Sequence, residues 1–220
     1  MSTISTSQRS RASLLAKLVV PLAVLSLWLT PWRARMQPDQ PDYRNPSLPV
    51  EHRVADLLSR MTLEEKVAQT HALWVQKALI TDATGNFSPE KAKDVLRYGL
   101  GQIARPSEID NSPGRRRGPR EMAVYFNAVQ KYVIENTRFG IPIMSHEEAL
   151  HGHAAKGGTS YPIPMALAGS WDTDLVHRIF TATAAEVRAR GAQQVLAPVI
   201  DLAWEPRWGL TEETYGEDPY

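Results

Sequence analysis

Short apolar segments alternate with longer amphipathic segments over residues 51–220. The apolar segments predict strands at 101–104, 141–145 and 195–200, and the amphipathic ones predict helices at 119–136 and 173–190. A chain in which strands and helices alternate in this way builds a parallel sheet through helical crossovers. The pattern therefore predicts an α/β fold.

Helix signals mark the start of this region and one of its helix ends. Apolar residues at 54, 57, 58 and 61 recur at helical spacing and predict a first short helix. Thr62 and Glu65 then form the sequence pattern of a capping box, which predicts a second helix start. Gly191 stands where the helix at 173–190 needs a C-terminal cap.

Composition excludes several classes of function. The 220 residues are 43% hydrophobic and 22% charged, which is typical of a globular chain with room for one domain. The 25 basic and 24 acidic residues nearly cancel, so no overall field attracts nucleic acid, and we expect no nucleic-acid partner. The chain has no cysteine, so its chemistry must use carboxylates, histidines or hydroxyls.

The N-terminal 36 residues have the pattern of an export signal. Three basic residues precede an apolar run at 18–29, which has the length of a signal-peptide core and is shorter than a membrane-spanning helix. We therefore expect residues 1–36 to direct the protein to the periplasm or outside the cell. Residues 31–35 offer no small-x-small cleavage site, so an uncleaved membrane anchor remains the alternative.

Residues 37–50 contain four prolines among polar residues. Such a composition cannot sustain a helix and predicts an extended linker. The folded domain is therefore expected to occupy residues 51–220.

A first polar cluster, at 145–153, directly follows the strand predicted at 141–145. Binding and catalytic groups gather at the C-terminal ends of the strands in an α/β barrel. The cluster contains His146, His151 and His153, which suggests a zinc hydrolase as one possible function. His146 and His151 are five residues apart, however, whereas the helical zinc motif places its histidines four apart.

A second polar cluster, at 198–220, combines carboxylates, an arginine and tryptophans. Carboxylate and guanidinium groups can each engage adjacent sugar hydroxyls, and an indole face can cover the apolar side of a sugar ring. The composition equally fits an ion-paired loop whose tryptophans belong to the core. Composition alone leaves both interpretations open.

Six motifs in order resemble one family. They are residues 63–69, Phe-Gly-Ile-Pro at 139–142, Glu-Ala-Leu-His-Gly at 148–152, Tyr-Pro at 161–162, Glu-Pro-Arg-Trp-Gly at 205–209, and residues 213–219. Together they resemble the N-terminal barrel of glycoside hydrolase family 3. The resemblance implies the N-terminal portion of a (β/α)8 TIM-like barrel.

The same resemblance implies an activity and a substrate-binding site. It implies hydrolysis of O-glycosidic bonds by a retaining enzyme of the β-xylosidase or β-glucosidase type, acting on an oligosaccharide or aryl β-glycoside without cofactor or metal. Glu148, Arg207 and Trp208 are the implied substrate-binding residues. A glutamate at 148, where many β-glucosidase-like members have aspartate, resembles the β-xylosidase-like branch.

Departures from the family pattern also matter. Leu210 stands where the family usually has a second arginine, Trp204 replaces a commonly basic residue, and Glu205 replaces the usual aspartate. No catalytic residue of the family has a counterpart in this chain, and the resemblance implies a nucleophile and an acid/base residue downstream of Tyr220. Asp218 and Pro219 predict a helix start at the last residues, which indicates a fragment. A non-catalytic carbohydrate-binding fragment is the alternative function.

Overall fold

A computed structural model describes residues 40–109 and 114–219. The described residues form two compact units, which divide between Arg60 and Met61. The predicted export signal at 1–36 lies outside the described residues. Within the described ranges, no helix is long and apolar enough to cross a membrane.

The first unit contains a short 3-10 helix, Asp42–Arg44, and the helix α1, Val50–Arg60. The backbone N–H of Tyr43 donates to Asp56 Oδ2 at 3.1 Å, and Arg53 Nε donates to the Tyr43 carbonyl at 3.0 Å. The predicted first helix is confirmed as α1. The linker is not extended throughout, because its residues 42–44 form a helical turn that is hydrogen-bonded to α1.

A parallel four-stranded sheet with the order β1-β2-β3-β4 forms the centre of the second unit. Strands that follow chain order and are joined through helices wind in one direction, as in a barrel. The predicted α/β class is thus confirmed. The strands are β1 (Ala72–Leu73), β2 (Gln102–Ala104), β3 (Met144–Glu147) and β4 (Gln194–Val195), and the helices are α2 (Leu63–Thr70), α3 (Pro89–Val95), α4 (Pro119–Asn136), α5 (Pro164–Ala168) and α6 (Thr173–Ala189).

Two predicted strands are misplaced, and proline explains both. The strand expected at 141–145 begins only at Met144, and the one expected at 195–200 ends at Val195. Pro142 and Pro198 have no N–H to donate to a neighbouring strand, so the ladder cannot extend through them. The shift at β3 moves its last residue to Glu147, which brings the glutamate pair at 147–148 to the end of the sheet.

Helices with strong local signals match their predictions. Helix α4 has the predicted bounds, and α6 is one residue shorter than predicted. The capping box at α2 is present, because the N–H of Thr62 donates to Glu65 Oε2 at 2.8 Å and the N–H of Glu65 donates to Thr62 Oγ1 at 3.3 Å. Gly191 has φ +94°, as a glycine that ends a helix requires.

The main core lies between the sheet and the helices α3 and α4. In this core the buried face of α4 packs with residues of β1, β2 and α3. Its fully buried members include Ile80, Leu96, Ile103, Val129 and Val133.

Candidate functional site

The residues that directly follow three neighbouring strands lie at the same edge of the sheet. Trp74 follows β1, Arg105 follows β2 and Glu148 follows β3. The carboxyl ends of parallel strands meet at the same edge. There Arg105 Nη2 donates to Glu148 Oε1 at 2.6 Å, and the Arg105 guanidinium carbon lies 4.7 Å from the centroid of the Trp74 ring. We call these three residues the strand-end cluster.

Solvent reaches every member of the strand-end cluster. Trp74 is 44% exposed, and the side chains of Arg105 and Glu148 are 28% and 20% exposed. In the part of the chain that the structure describes, Arg105 holds one carboxylate oxygen of Glu148, and Oε2 takes no hydrogen bond from the protein. The cluster therefore presents an aromatic face, a guanidinium and an anchored carboxylate, which suit a polyhydroxylated ligand.

The backbone at Arg105 is strained and firmly held. Its φ of +46° lies in the left-handed region, which an L-residue other than glycine rarely adopts. The N–H of Arg105 donates to the His146 carbonyl at 2.7 Å. Two residues further on, the N–H and hydroxyl of Ser107 both donate to the carboxylate of Glu147 at 2.8 Å. Such strain persists only where the surroundings over-determine it.

Two buried basic side chains bind backbone carbonyls on either side of Arg105. Lys77 Nζ donates to the Ala104 carbonyl at 3.0 Å, and Arg117 Nη1 donates to the Pro106 carbonyl at 2.8 Å. Arg117 also lies over the ring of Tyr125, with its guanidinium carbon 3.6 Å from the ring centroid. Arg117 is the third arginine of the run at 115–117, and it is buried although Arg115 and Arg116 are exposed.

Lys77 makes the stability of the fold depend on pH. Burial lowers its pKa to about 8, although the negative charges of Glu108 and Glu147 act in the opposite direction. Above pH 8 the native lysine releases a proton that an unfolded lysine keeps up to a pKa of about 10.4, so the free energy of unfolding rises with pH. Burial raises the pKa of Tyr125 to about 12. An unfolded tyrosine loses its proton near pH 10, so above about pH 10 the free energy of unfolding falls as pH rises.

We expect the free energy of unfolding to rise by about 2 kcal/mol between pH 8 and pH 10, since one pKa unit is worth about 1.4 kcal/mol. Urea denaturation at several pH values measures this rise. The Lys77→Met variant should lack it, and the Lys91→Met variant, which removes an exposed lysine, should retain it. A rise of equal size in the Lys77→Met variant would refute the assignment to Lys77.

The histidines of the first polar cluster do not assemble a metal site. His146 Nδ1 lies 2.7 Å from Gln102 Oε1, and burial lowers the His146 pKa. His153 is fully buried, with Nε2 3.8 Å from Glu147 Oε2. Residues 40–109 and 114–219 contain no group of three or more His, Cys, Asp or Glu side chains placed to hold a metal. The geometry gives the zinc hydrolase alternative no support.

A comparison with known families identifies the chain. Residues 62–220 match the model of the glycosyl hydrolase family 3 N-terminal domain. The chain belongs to glycoside hydrolase family 3. The resemblance inferred from its motifs is confirmed.

Relatives and solved structures agree with this family assignment. The chain is 37% identical over 180 residues to a putative β-xylosidase of Formosa agariphila, covering 81% of this chain and 23% of that protein. It is 35% identical over 188 residues to a periplasmic β-glucosidase/β-xylosidase of Dickeya chrysanthemi, covering 80% of this chain and 28% of that protein. The chain thus spans about a quarter of the length of these family 3 relatives.

The structure of a β-glucosidase from Erythrobacter marinus superposes on 82% of this chain and 22% of that enzyme, with a TM-score of 0.67 and 37% identity. The match extends the shared fold across most of the second unit. The predicted portion of a TIM-like barrel is confirmed.

The second polar cluster of this family 3 chain is an exposed ion-paired loop. Arg207 Nε and Nη2 donate to the two carboxylate oxygens of Glu205, each at 2.7 Å, and the pair lowers the pKa of Glu205 to about 2. Trp208 is partly buried and Trp204 is exposed, with its Nε1 donating to the Glu217 carbonyl at 2.8 Å. The loop is ion-paired, as the second interpretation of its composition predicted. Trp204 and Trp208, however, do not belong to the core.

The three residues implied as sugar-binding fall into two groups. Glu148 is paired with Arg105, whereas Arg207, with 88% of its side chain exposed, is paired with its near neighbour Glu205. The structure joins neither Arg207 nor Trp208 to Glu148 by a hydrogen bond or ion pair among the described residues. The sugar-binding role of the three residues stays a prediction.

Sequence reasoning missed two members of the strand-end cluster. Trp74 follows a strand of only two residues, which is too short to give an alternating pattern. Arg105 directly follows the strand predicted at 101–104, so its position carried a usable signal. The rule that functional groups follow barrel strands would have identified it.

Proposed function

We propose that this chain forms part of the terminal-sugar site of a glycoside hydrolase that releases terminal β-linked sugars from oligosaccharides or aryl β-glycosides. The observation that carries the proposal is the Glu148 carboxylate at the carboxyl edge of the sheet, which has Oε2 open and is anchored by Arg105, whose guanidinium lies over the Trp74 ring. The β-xylosidase and β-glucosidase names of the relatives support this class of substrate.

Glu148 would hold the sugar by accepting hydrogen bonds from its hydroxyls. A hydrogen bond to an ionised carboxylate is shorter and stronger than one between neutral groups. Arg207 would contact the same sugar, and Trp208 would cover a ring face. The exposed Arg207–Glu205 pair contributes little to folding, because such pairs are screened by water, and this leaves the guanidinium free to exchange partners.

We further propose a preference for xylosides over glucosides. The carboxylate of a glutamate extends one methylene further from the backbone than that of an aspartate, and Arg105 fixes it there. A hexose hydroxymethyl group would meet this carboxylate, whereas xylose has none. Discrimination by one such group is worth roughly 1–3 kcal/mol.

Glu147 and Glu148 are neighbours in the chain but are not suited to act as a catalytic pair. A retaining glycosidase needs two carboxyl groups about 5–5.5 Å apart that both face the substrate. Glu147, the neighbour of Glu148, is buried, and Ser107 binds both of its oxygens. We therefore propose that the nucleophile and the acid/base residue come from polypeptide downstream of Tyr220, as the family resemblance implies.

We expect the 220-residue chain to bind sugar without cleaving it. Taken by itself, the chain would then act as the non-catalytic carbohydrate-binding fragment that is the alternative function. Release of 4-nitrophenol from 4-nitrophenyl β-D-xyloside should not exceed that of a buffer blank. Calorimetry with xylose and glucose measures binding in the same sample. Turnover that disappears in the Glu148→Ala variant would overturn the proposal that this chain lacks the catalytic pair.

Export to the periplasm or outside the cell is part of the proposal. The relative from Dickeya chrysanthemi is named periplasmic, and the basic and apolar pattern of residues 1–36 fits an export signal. N-terminal sequencing of the protein from a periplasmic fraction should find residues 1–36 removed. The intact N-terminus in the membrane fraction would indicate the anchor instead, and cytosolic protein would contradict export.

A further inference from the structure

We propose that Arg105 is a positioning residue of the sugar site, which fixes the Glu148 carboxylate so that its second oxygen faces the sugar. The proposal rests on the sugar-binding role proposed for Glu148. Arg105 lies outside the family motifs at 148–152 and 205–209. It follows β2, whereas Glu148 follows β3.

The guanidinium is held on three sides. Arg105 Nη2 lies 2.6 Å from Glu148 Oε1, Nη1 lies 3.6 Å from Glu108 Oε1, and the guanidinium carbon lies 4.7 Å from the centroid of the Trp74 ring. A guanidinium that stacks on an aromatic face and is ion-paired on both sides has little freedom left. Because Arg105 is fixed, it can hold one oxygen of Glu148 in a fixed place.

The backbone indicates that the side chain at this position matters. A φ of +46° suits glycine, which adopts it without steric cost, yet the residue is an arginine. The strain is tolerated because the adjoining backbone is bonded to Lys77, His146 and Arg117. The turn therefore carries a large side chain at a position where the backbone conformation favours glycine.

A purely structural role for the Arg105–Glu148 pair is a weaker explanation. Ser107 and Glu147 already join the ends of β2 and β3 through two buried hydrogen bonds of 2.8 Å. The Arg105–Glu148 pair is partly exposed, and pairs in contact with water add little to stability. What the pair does supply is orientation, since a carboxylate fixed before the ligand arrives loses less freedom on binding.

Binding of methyl β-D-xyloside to the 220-residue chain, followed by NMR titration, tests the proposal. We expect Arg105→Gln to weaken binding about tenfold, which is the effect of about 1.4 kcal/mol. Arg105→Lys should recover part of the loss, because the charge remains but the planar fork does not. In a Glu148→Gln background, Arg105→Gln should have no further effect, because Arg105 acts through Glu148.

Arg138→Gln is the matched control. Arg138 Nε and Nη2 donate to the two carboxylate oxygens of Glu65 at 2.8 and 2.7 Å, so the variant also breaks an arginine–glutamate pair but away from the strand-end cluster. It should leave the affinity unchanged. Equal weakening by Arg105→Gln in both backgrounds, or none in the wild-type background, would overturn the positioning role.

A measurement without ligand separates the two proposals. The carboxyl ¹³C resonance of Glu148, assigned by its loss in Glu148→Gln, should shift in Arg105→Gln and stay in place in Arg138→Gln. If the wild-type chain binds no xyloside, the proposed function fails, and this resonance still tests Arg105. An unmoved resonance in Arg105→Gln would show that the arginine does not hold the carboxylate.

Discussion

Replacing Glu148 with glutamine is expected to weaken binding of methyl β-D-xyloside to the chain by roughly thirtyfold. The substitution keeps the shape of the side chain but removes its charge, and hydrogen bonds to charged groups contribute about 1.5–3 kcal/mol, or about 10- to 150-fold in affinity. It also removes the ion pair through which Arg105 holds one oxygen. An NMR titration measures the loss.

Glu186→Gln is the control for this prediction. Glu186 pairs with Arg190 at 2.9 Å, and 23% of its side chain is exposed, compared with 20% for Glu148. The control variant removes a similar ion pair on α6 and should bind xyloside like the wild type. Equal affinity of the Glu148→Gln variant and the wild type would rule out a sugar-binding role for Glu148.

Replacing Glu147 with alanine is expected to lower the free energy of unfolding by about 3–5 kcal/mol, the range for breaking a buried charged network. The side chain is buried and accepts two hydrogen bonds from Ser107, so its removal leaves a buried N–H and a buried hydroxyl unpaired. It also removes negative charge near Lys77. Urea denaturation measures the loss.

Ser107→Ala is the comparison for the Glu147 variant. It removes one of the two hydrogen bonds, the one from the hydroxyl, and keeps the backbone donor and the carboxylate. We expect it to cost about 1.5–3 kcal/mol, the net value of a hydrogen bond to a charged group. A loss for Glu147→Ala no larger than that for Ser107→Ala would show that the buried network does not stabilise the turn.

Elements with local signals could be predicted from the sequence. The capping residues Thr62 and Glu65 and the proline at the start of α4 act on their own helices, and these helices begin as expected. The strands were harder, because they are short and their ends depend on pairing with distant segments. Pro142 and Pro198 limit that pairing, and giving more weight to their missing N–H groups would have shortened both predicted strands.

The candidate site was only partly accessible to sequence reasoning. Glu148 was found through the motif at 148–152, but its partner Arg105 lies 43 residues away in the chain. A run of three arginines such as 115–117 is typical of an exposed loop. Arg117 is nevertheless buried, because it donates hydrogen bonds to the backbone carbonyls of Pro106 and Glu108. Contacts between segments this far apart leave no periodic trace in the sequence.

A crystal structure of the 220-residue chain with bound xylose tests the central claim most directly. The account predicts a sugar hydroxyl within about 3 Å of Glu148 Oε2, the usual length of such a hydrogen bond, with Arg105 still bonded to Oε1. Xylose bound at another surface, with Glu148 contacting only the protein, would contradict the claim.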